Sequence, residues 1–499
     1  MINRRSIILG SSALVLSSQF RDVRAQHDQP VRYGAATPEG KKMLRIYAQG
    51  VAAMKALPPQ DPKSWTFQWY IHAVPRSKEI QLDRIFQGAS GDTFELALEI
   101  WFTCQAHNRQ PEDYFLPWHR LYVMQFEEII RALTGRDEFT LPYWDYTAPG
   151  FQSIPDEFQS KNSRDPVLSS LFVPNRNRDG GQIRSADVNA GEPLNKHLRN
   201  RNIFALPNLR EPNYSRFCRQ LDTLLHNQVH LYVGDFTNMG DVPTAAGDPI
   251  FWLHHCNIDR IWSAWNLSGG RNPSSTNGTS WADTGFVFAD GEGQRVEIAI
   301  GTISDSEALP YRYDKLPGVR PGTVLASTSS EPTVLLKSVR SSAAATATAP
   351  SSPPAAVALG WAPVKTVLAP TVPQNRLSAV ATGIQRTDAV SVILLLKDVQ
   401  TQINPNTVYE VFLDLPDNAS DEVQDLHYVG LLNFFGMGAE AGGTAQGGRD
   451  IEFDITDLIK RLGATAALQS ETSVTIAPVG APSASSTPTI SGGIEIKRW

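Results

Sequence analysis

Leu221 to Arg260 reads LDTLLHNQVHLYVGDFTNMGDVPTAAGDPIFWLHHCNIDR and holds four of the chain's ten histidines. His226 and His230 stand four residues apart in an apolar run that predicts a helix over Phe217 to Val233. On a helix that spacing puts both imidazoles on one face, one turn apart. Two imidazoles so placed can share one metal ion. His254-His255 follows Ile250-Phe251-Trp252-Leu253 on a second helix, expected from Pro249 to about Leu267, and offers a third ligand. Imidazoles in apolar surroundings need partners, because burying them unpaired is costly; a metal is one such partner. A zinc-peptidase helix needs a glutamate directly after its first histidine. Asn227 stands there, so that reading loses its catalytic base.

The upstream half supplies a second set: His72 in WYIHAVP, His107 in CQAHNRQ and His119 in FLPWHRLY. Helices are expected over Gly40 to Leu57, over Thr93 to Gln105 (delivering His107 near its end) and from Pro117, where proline suits a first turn. The last puts His119, Tyr122, Val123, Phe126 and Ile130 on one face. Six neutral nitrogen ligands in two sets of three predict two copper ions facing each other, since imidazole suits copper and no carboxylate or thiolate cluster competes. Helices contributing inward histidines make a four-helix bundle with irregular loops, a known way to hold a two-metal site.

These segments carry a resemblance. DPIFWLHHCNIDRIW resembles the second copper-site signature of the tyrosinase, catechol oxidase and haemocyanin family. HNQVH is similar to its HNxxH segment, LPWHRLYVMQFE to its first copper site, LPYWDY (Leu141 to Tyr146) to a family segment, and DPKSWTFQWYIH to the approach to its first ligand. The match spans roughly residues 60 to 266. It implies oxygen-dependent oxidation of monophenols and o-diphenols to o-quinones by a copper oxidoreductase, with O2 and phenolic small molecules as partners. The rivals are a diphenol-only catechol oxidase, an o-aminophenol oxidase, or a haemocyanin-like oxygen carrier. The ligand set implied is His72, His107, His119, His226, His230 and His255, with His254 an outer partner. The interval from His107 to His119 is longer than the family's, which leaves His107 the weakest match. Some relatives crosslink a cysteine to the second ligand of the first site; Cys104, three residues before His107, is the candidate here. Asn227 resembles the Asn that holds a water together with a carboxylate in monophenol-active relatives, and Asp222 stands where plant enzymes have a glutamate. Val242 falls at the position of a bulky gate, and Asp259 is expected to pin the last helix.

Net charge −6 and pI near 6.0 imply no preference for nucleic acid or anionic membranes. Three cysteines, Cys104, Cys218 and Cys256, argue against a disulfide framework. Arg4-Arg5 before a short apolar run reads as a twin-arginine export signal ending near Ala25, so the protein is expected in the periplasm or outside the cell. Oligomeric state is not legible. Residues 150 to 213 read as an irregular excursion containing a solvated His197. The copper domain is expected over 31–320, with short strands near 285–300, a linker over 321–358 and an antiparallel β-sandwich over 359–499. The later segments SWADTGFVFADGEG and LPYRYDKL resemble those that follow the copper domain in plant polyphenol oxidases. The sandwich is similar to the C-terminal domain that covers the active site in long relatives, and the Leu432–Gly436 loop, read as exposed, with Phe434 and Phe435, is the expected plug.

Overall fold

The computed structural model describes residues 29–499 apart from 106–112, 180–181, 184, 197–203, 236, 275–279, 319–331, 339–355, 373–375, 385–390 and 438–447. The export signal, His107 and His197 therefore lie outside the described residues, as does most of the expected linker.

Local chemistry sets the helices. Thr37 accepts from the Gly40 N–H, and Pro38 starts α1 (Pro38–Ala56). Ser64 caps the start of α2 (Trp65–His72) in the same way through the Phe67 N–H, and His72 is the last residue of this helix. After α3 (Lys78–Phe86) comes α4 (Asp92–Ile100), shorter than the expected run to Gln105. The reason lies in α2. Phe102 turns to positive φ (61°) and its N–H donates to the Tyr70 carbonyl at 2.8 Å, while Thr103 donates to Ile71 at 3.1 Å. The chain leaves α4 to satisfy carbonyls that the last turn of α2 leaves open, and this carries Cys104 to the end of α2. α5 (Phe115–Thr134) stops at Gly135, which is left-handed.

α6 (Tyr214–Gln220) runs without a break into a π-helical turn, Leu221–His226, and then into α7 (Asn227–Val233). α8 (Val242–Ala245) and α9 (Ile250–Leu267) follow. The expected four-helix arrangement is present: α2, α5, α7 and α9 carry the histidines, with α1 laid against α5. Gly285–Ala289 and Arg295–Ala299 pair as a hairpin beside them.

The C-terminal part is one continuous nine-stranded sheet, and every pairing in it is antiparallel. Its path runs Tyr428–Leu432, Tyr409–Leu413, Thr472–Pro478, Val364–Pro370, Thr333–Ser338, Thr489–Arg498, Val392–Gln400, Arg449–Asp454. The sheet curls on itself: a Cβ added at Gly430, on the first strand of this path, would meet the Phe453 ring on the last at 2.7 Å. The sandwich's two faces are thus the walls of a nearly closed barrel, lined by residues such as Val392, Leu394, Val411, Ile476 and Ile494. The linker needs correction. Thr333–Ser338 and Val357–Ala358, inside the stretch 321–358, are strands of this sheet. Their short alternation is masked in sequence by the Ser- and Ala-rich residues between them.

Asp259 is the electrostatic centre of the helical part. It is buried on α9, and its carboxylate accepts from Arg32 at 2.9 Å, from Arg120 on α5, and from the hydroxyls of Tyr311 (2.6 Å) and Tyr313 (2.5 Å). Arg32 also pairs with Glu127. The Asp259-Arg260 pair is therefore not a surface ion pair: Arg260 is buried too, and binds Asp145 at 3.1 Å. Burial pushes the Asp259 carboxyl up, but Arg120, Arg32 and the two tyrosines outweigh it and hold it below the ordinary carboxylate range. Its contribution to stability is then present above the unfolded-state pKa and lost as pH falls through the folded one. Asp259→Asn leaves two buried guanidiniums short of a charge partner and should cost about 3–5 kcal/mol. A thermal midpoint unchanged at neutral pH would contradict this account.

Candidate metal centre

Each histidine reaches the centre through a different backbone device. His72 is the last residue of α2, His119 sits in the second turn of α5, His226 closes the π-helical turn, and His230 follows one turn later on α7. His254 and His255 lie near the start of α9. All six are buried. The donor atoms of His226, His230, His254 and His255 lie within 4.8 Å of one another, and so do those of His72, Cys104 and His119. The two groups face each other: the His119 and His255 rings stack at 4.3 Å and 12°.

Hydrogen bonds on the far side of the rings fix what the near side can do. His119 Nδ1 lies 2.8 Å from the Phe115 carbonyl, and His230 Nδ1 lies 2.7 Å from the Met239 carbonyl. His226 Nδ1 lies 2.9 Å from Asn227 Oδ1 and 3.2 Å from Asp222 Oδ1. Each of these oxygens accepts, so each ring carries its proton on Nδ1 and a lone pair on Nε2. The His226 and His230 Nε2 atoms are 3.0 Å apart. Two lone pairs that close repel unless a cation takes both. Neither ring nitrogen of His255 has a hydrogen-bond partner. His254 differs: its Nδ1 is 2.9 Å from the Tyr146 hydroxyl. Burial first, and then the neighbouring imidazoles, hold His230, His254 and His255 well below the ordinary imidazole range. Neutral rings with converging Nε2 lone pairs, with the Asp222 carboxylate on the Nδ1 side of His226, fit a metal of the imidazole-preferring kind, copper above all.

The remaining candidates divide. Asp222 is shorter than a glutamate, but it stands one helical turn before His226 and its carboxylate still reaches the ring, 3.2 Å from Nδ1. Val242 is nearly buried and packs with Ala73, Leu231 and Phe435. The Cys104 sulfur lies 3.6 Å from His119 Nε2; its proposed partner His107 is outside the described residues.

The expected plug needs two corrections. The Leu432–Gly436 loop is not exposed: Leu432, Asn433, Phe434 and Phe435 are all buried. Phe434 packs into the barrel core against Tyr409 at 5.8 Å. Phe435 alone faces the histidines, stacked on His230 at 4.4 Å and 18°. The two rings part at a turn closed by the Met437 N–H on the Phe434 carbonyl at 3.0 Å, and one enters each half of the molecule.

Two residues that hold this loop were invisible in the sequence. Arg449 donates to the Phe435 carbonyl at 3.0 Å and to Gly436 at 2.5 Å, and Asn433 donates to the Thr223 carbonyl, in the π turn, at 2.8 Å. Asn433 lies inside the quoted loop, but nothing marked Arg449. A charged seam runs beside them. Arg216 lies 3.6 Å over the Trp499 ring and 3.7 Å from Glu452, and Arg219 bridges Asp113 (3.4 Å) and Glu452 (3.6 Å).

Comparison with known proteins follows the same lines. Residues 62–268 match the common central domain of tyrosinase, and residues 344–494 match a domain of unknown function. A tyrosinase of Hahella sp. (strain CCB-MM4) is 30% identical over 459 residues, covering 84% of this chain and 89% of that protein. The latent-form chloroplastic polyphenol oxidase of Prunus armeniaca is 26% identical over 293 residues, 54% of this chain and 46% of that one, so the match spans about half the length of this plant relative. Latent apple tyrosinase has the same fold, with a TM-score of 0.60 at 21% identity over 94% of this chain and 97% of that one. Deoxygenated hemocyanin from Rapana thomasiana gives 0.51 at 15% identity over 92% and 98%. Both structural likenesses speak for the fold alone.

His230→Ala removes one of two opposed lone pairs and leaves the His72–His119 side intact. Measured by elemental analysis after copper loading, it should retain about half of the parent chain's copper. Full retention would mean that His230 is not a ligand.

Proposed function

Because the chain belongs to the tyrosinase family of copper oxidoreductases, we propose that His72, His107, His119 and His226, His230, His255 hold two copper ions, three imidazoles each, and that the site converts monophenols and o-diphenols to o-quinones. The opposed His226 and His230 Nε2 atoms, 3.0 Å apart, carry this reading most strongly. Copper bound there supplies the two-electron exchange with O2 by which a phenol is oxidised. The protein's own groups do the rest. Oxygens at the Nδ1 atoms of His119, His226 and His230 orient those rings and hold the proton there. His255 is assigned as ligand over His254 because its ring faces His119 of the other group, 4.3 Å away, while the Tyr146 hydroxyl holds His254.

A monophenol must also lose its proton. Asp222 is the proposed acceptor, acting through a water that Asn227 positions; the two side chains converge on one edge of His226. Val242 and Ala73 are small, which leaves room at the mouth for substituted phenols such as tyrosine. Phe435 lies where a flat substrate ring would stack on His230, so the C-terminal barrel is proposed as a lid that keeps the chain latent. The export signal over residues 1–25 would place this activity in the periplasm or outside the cell.

Oxygen uptake and quinone absorbance, with tyrosine and then with DOPA, test the reading on copper-loaded protein. Turnover of both is expected, and turnover of DOPA alone would leave a catechol oxidase and retire the Asp222-Asn227 argument. Asn227→Ala should lower the monophenol rate by roughly 100-fold relative to the diphenol rate, the usual scale of a lost proton-transfer arrangement. An unchanged ratio would remove Asn227 from the mechanism. Phe435→Ala in the uncut chain should raise turnover of both substrates; unchanged turnover would mean the barrel covers nothing that matters.

A further inference from the structure

Beyond the ligands, one line of oxidisable side chains leads from the metal centre toward the protein's rim, and phenol oxidation uses none of it. Trp118 lies against His119, ring centroids 4.8 Å apart, and 6.2 Å from His72. Tyr122 follows at 4.8 Å from Trp118, Trp252 at 4.5 Å from Tyr122, and Trp65 at 6.3 Å from Trp252. Trp118, Tyr122 and Trp252 are almost fully buried, whereas Trp65 is 7% exposed beneath the exposed Lys55.

Packing alone does not account for the residue types. Phe126 stacks on Trp252 at 3.5 Å and 15°, a contact that phenylalanine at 252 would also make. The indole N–H of Trp252 is buried with no hydrogen-bond partner, a cost that a purely structural ring avoids. Aromatic rings in van der Waals contact are also the most effective stepping stones for electrons in a protein, and tryptophan and tyrosine are the side chains that give one up most readily.

We propose that Trp118, Trp252 and Trp65, bridged by the Tyr122 ring, form a one-electron relay that protects the metal centre when O2 has been activated and no phenol is present. This rests on the copper reading above. Copper held by these histidines would supply the one-electron oxidant and be reduced by one electron; the Trp118 indole is the group that gives it up. Trp252 refills Trp118 and Trp65 refills Trp252, so the positive hole moves outward. No bond forms or breaks. At the rim a soluble reductant of the ascorbate type supplies the electron and is oxidised. Tyr122 serves as a bridge and not as a resting place: its hydroxyl donates to the Gln68 carbonyl, which cannot take the proton a tyrosyl radical must shed. The Lys55 ammonium, 5.3 Å above Trp65, disfavours a resting positive charge there. A hole that reaches Trp65 is thus short-lived and passes on to the reductant.

The test uses the copper-loaded full chain, treated with hydrogen peroxide without phenol. Freeze-quenched electron paramagnetic resonance detects protein radicals, and peptide mass spectrometry locates oxidised side chains. The parent should show a tryptophan radical that ascorbate removes, and oxidation reaching Trp65. Trp252→Phe should lose oxidation at Trp65, concentrate damage on Trp118 and the histidines, and inactivate faster under peroxide, while its initial phenol turnover stays at the parent's level. Trp65→Phe provides the same comparison at the rim if the Trp252 variant does not fold. Identical oxidation maps and inactivation rates in parent and variants would overturn the relay while leaving the copper reading intact. Absence of copper binding and phenol turnover in the parent itself would overturn the copper reading instead.

Discussion

Three buried imidazoles, each giving its Nδ1 proton to an oxygen, leave their Nε2 lone pairs crowded into one apolar space. The rest of the structure follows from keeping that arrangement in place. Such lone pairs repel, and neutral rings out of water have lost their solvation. The assembly holds together as a metal site, and only if the helices bearing the rings cannot move apart. The buried Asp259 network supplies that rigidity by tying the segment at Arg32, α5, α9 and Tyr311–Tyr313 to one carboxylate.

Much of the centre was legible because metal-binding helices repeat a simple geometry. His226 and His230 at i and i+4, His119 on the buried face of α5, and the doublet opening α9 all follow from helical period and apolar context. What stayed hidden was non-local or non-periodic. A 3.6-residue period does not reveal the π turn that carries Asp222 and His226, whose side chains lie 3.2 Å apart. Nothing in the sequence around 100 reveals that the carbonyls of Tyr70 and Ile71 draw the chain out of α4. The two strands within the expected linker are defined by partners more than a hundred residues away at Thr489–Arg498. The plug loop was found, but a turn decides which phenylalanine enters the site, and only the fold sets it.

The seam between the two parts joins unlike surfaces. An apolar ring, Phe435, meets imidazoles. In the same seam, a set of charges carries Arg216 and Arg219 between acids of both domains, with the Trp499 indole over one guanidinium. Desolvated charge of this kind adds little net affinity but is intolerant of misfit, so it defines one docking pose for the barrel. A ring that stacks on His230 at 4.4 Å needs such a pose.

The π turn has a further consequence, for descent. A π turn accommodates one residue more than the α-helix it interrupts. Within this segment, removing a single residue between Asp222 and His226 would restore an ordinary helix, leave His226 and His230 in mutual register, and move Asp222 from four residues before His226 to three, which changes its reach to the ring. The metal-binding trait and the carboxylate beside it can therefore be inherited separately. A lineage can gain or shed the second by one codon, without passing through a form that has lost the first.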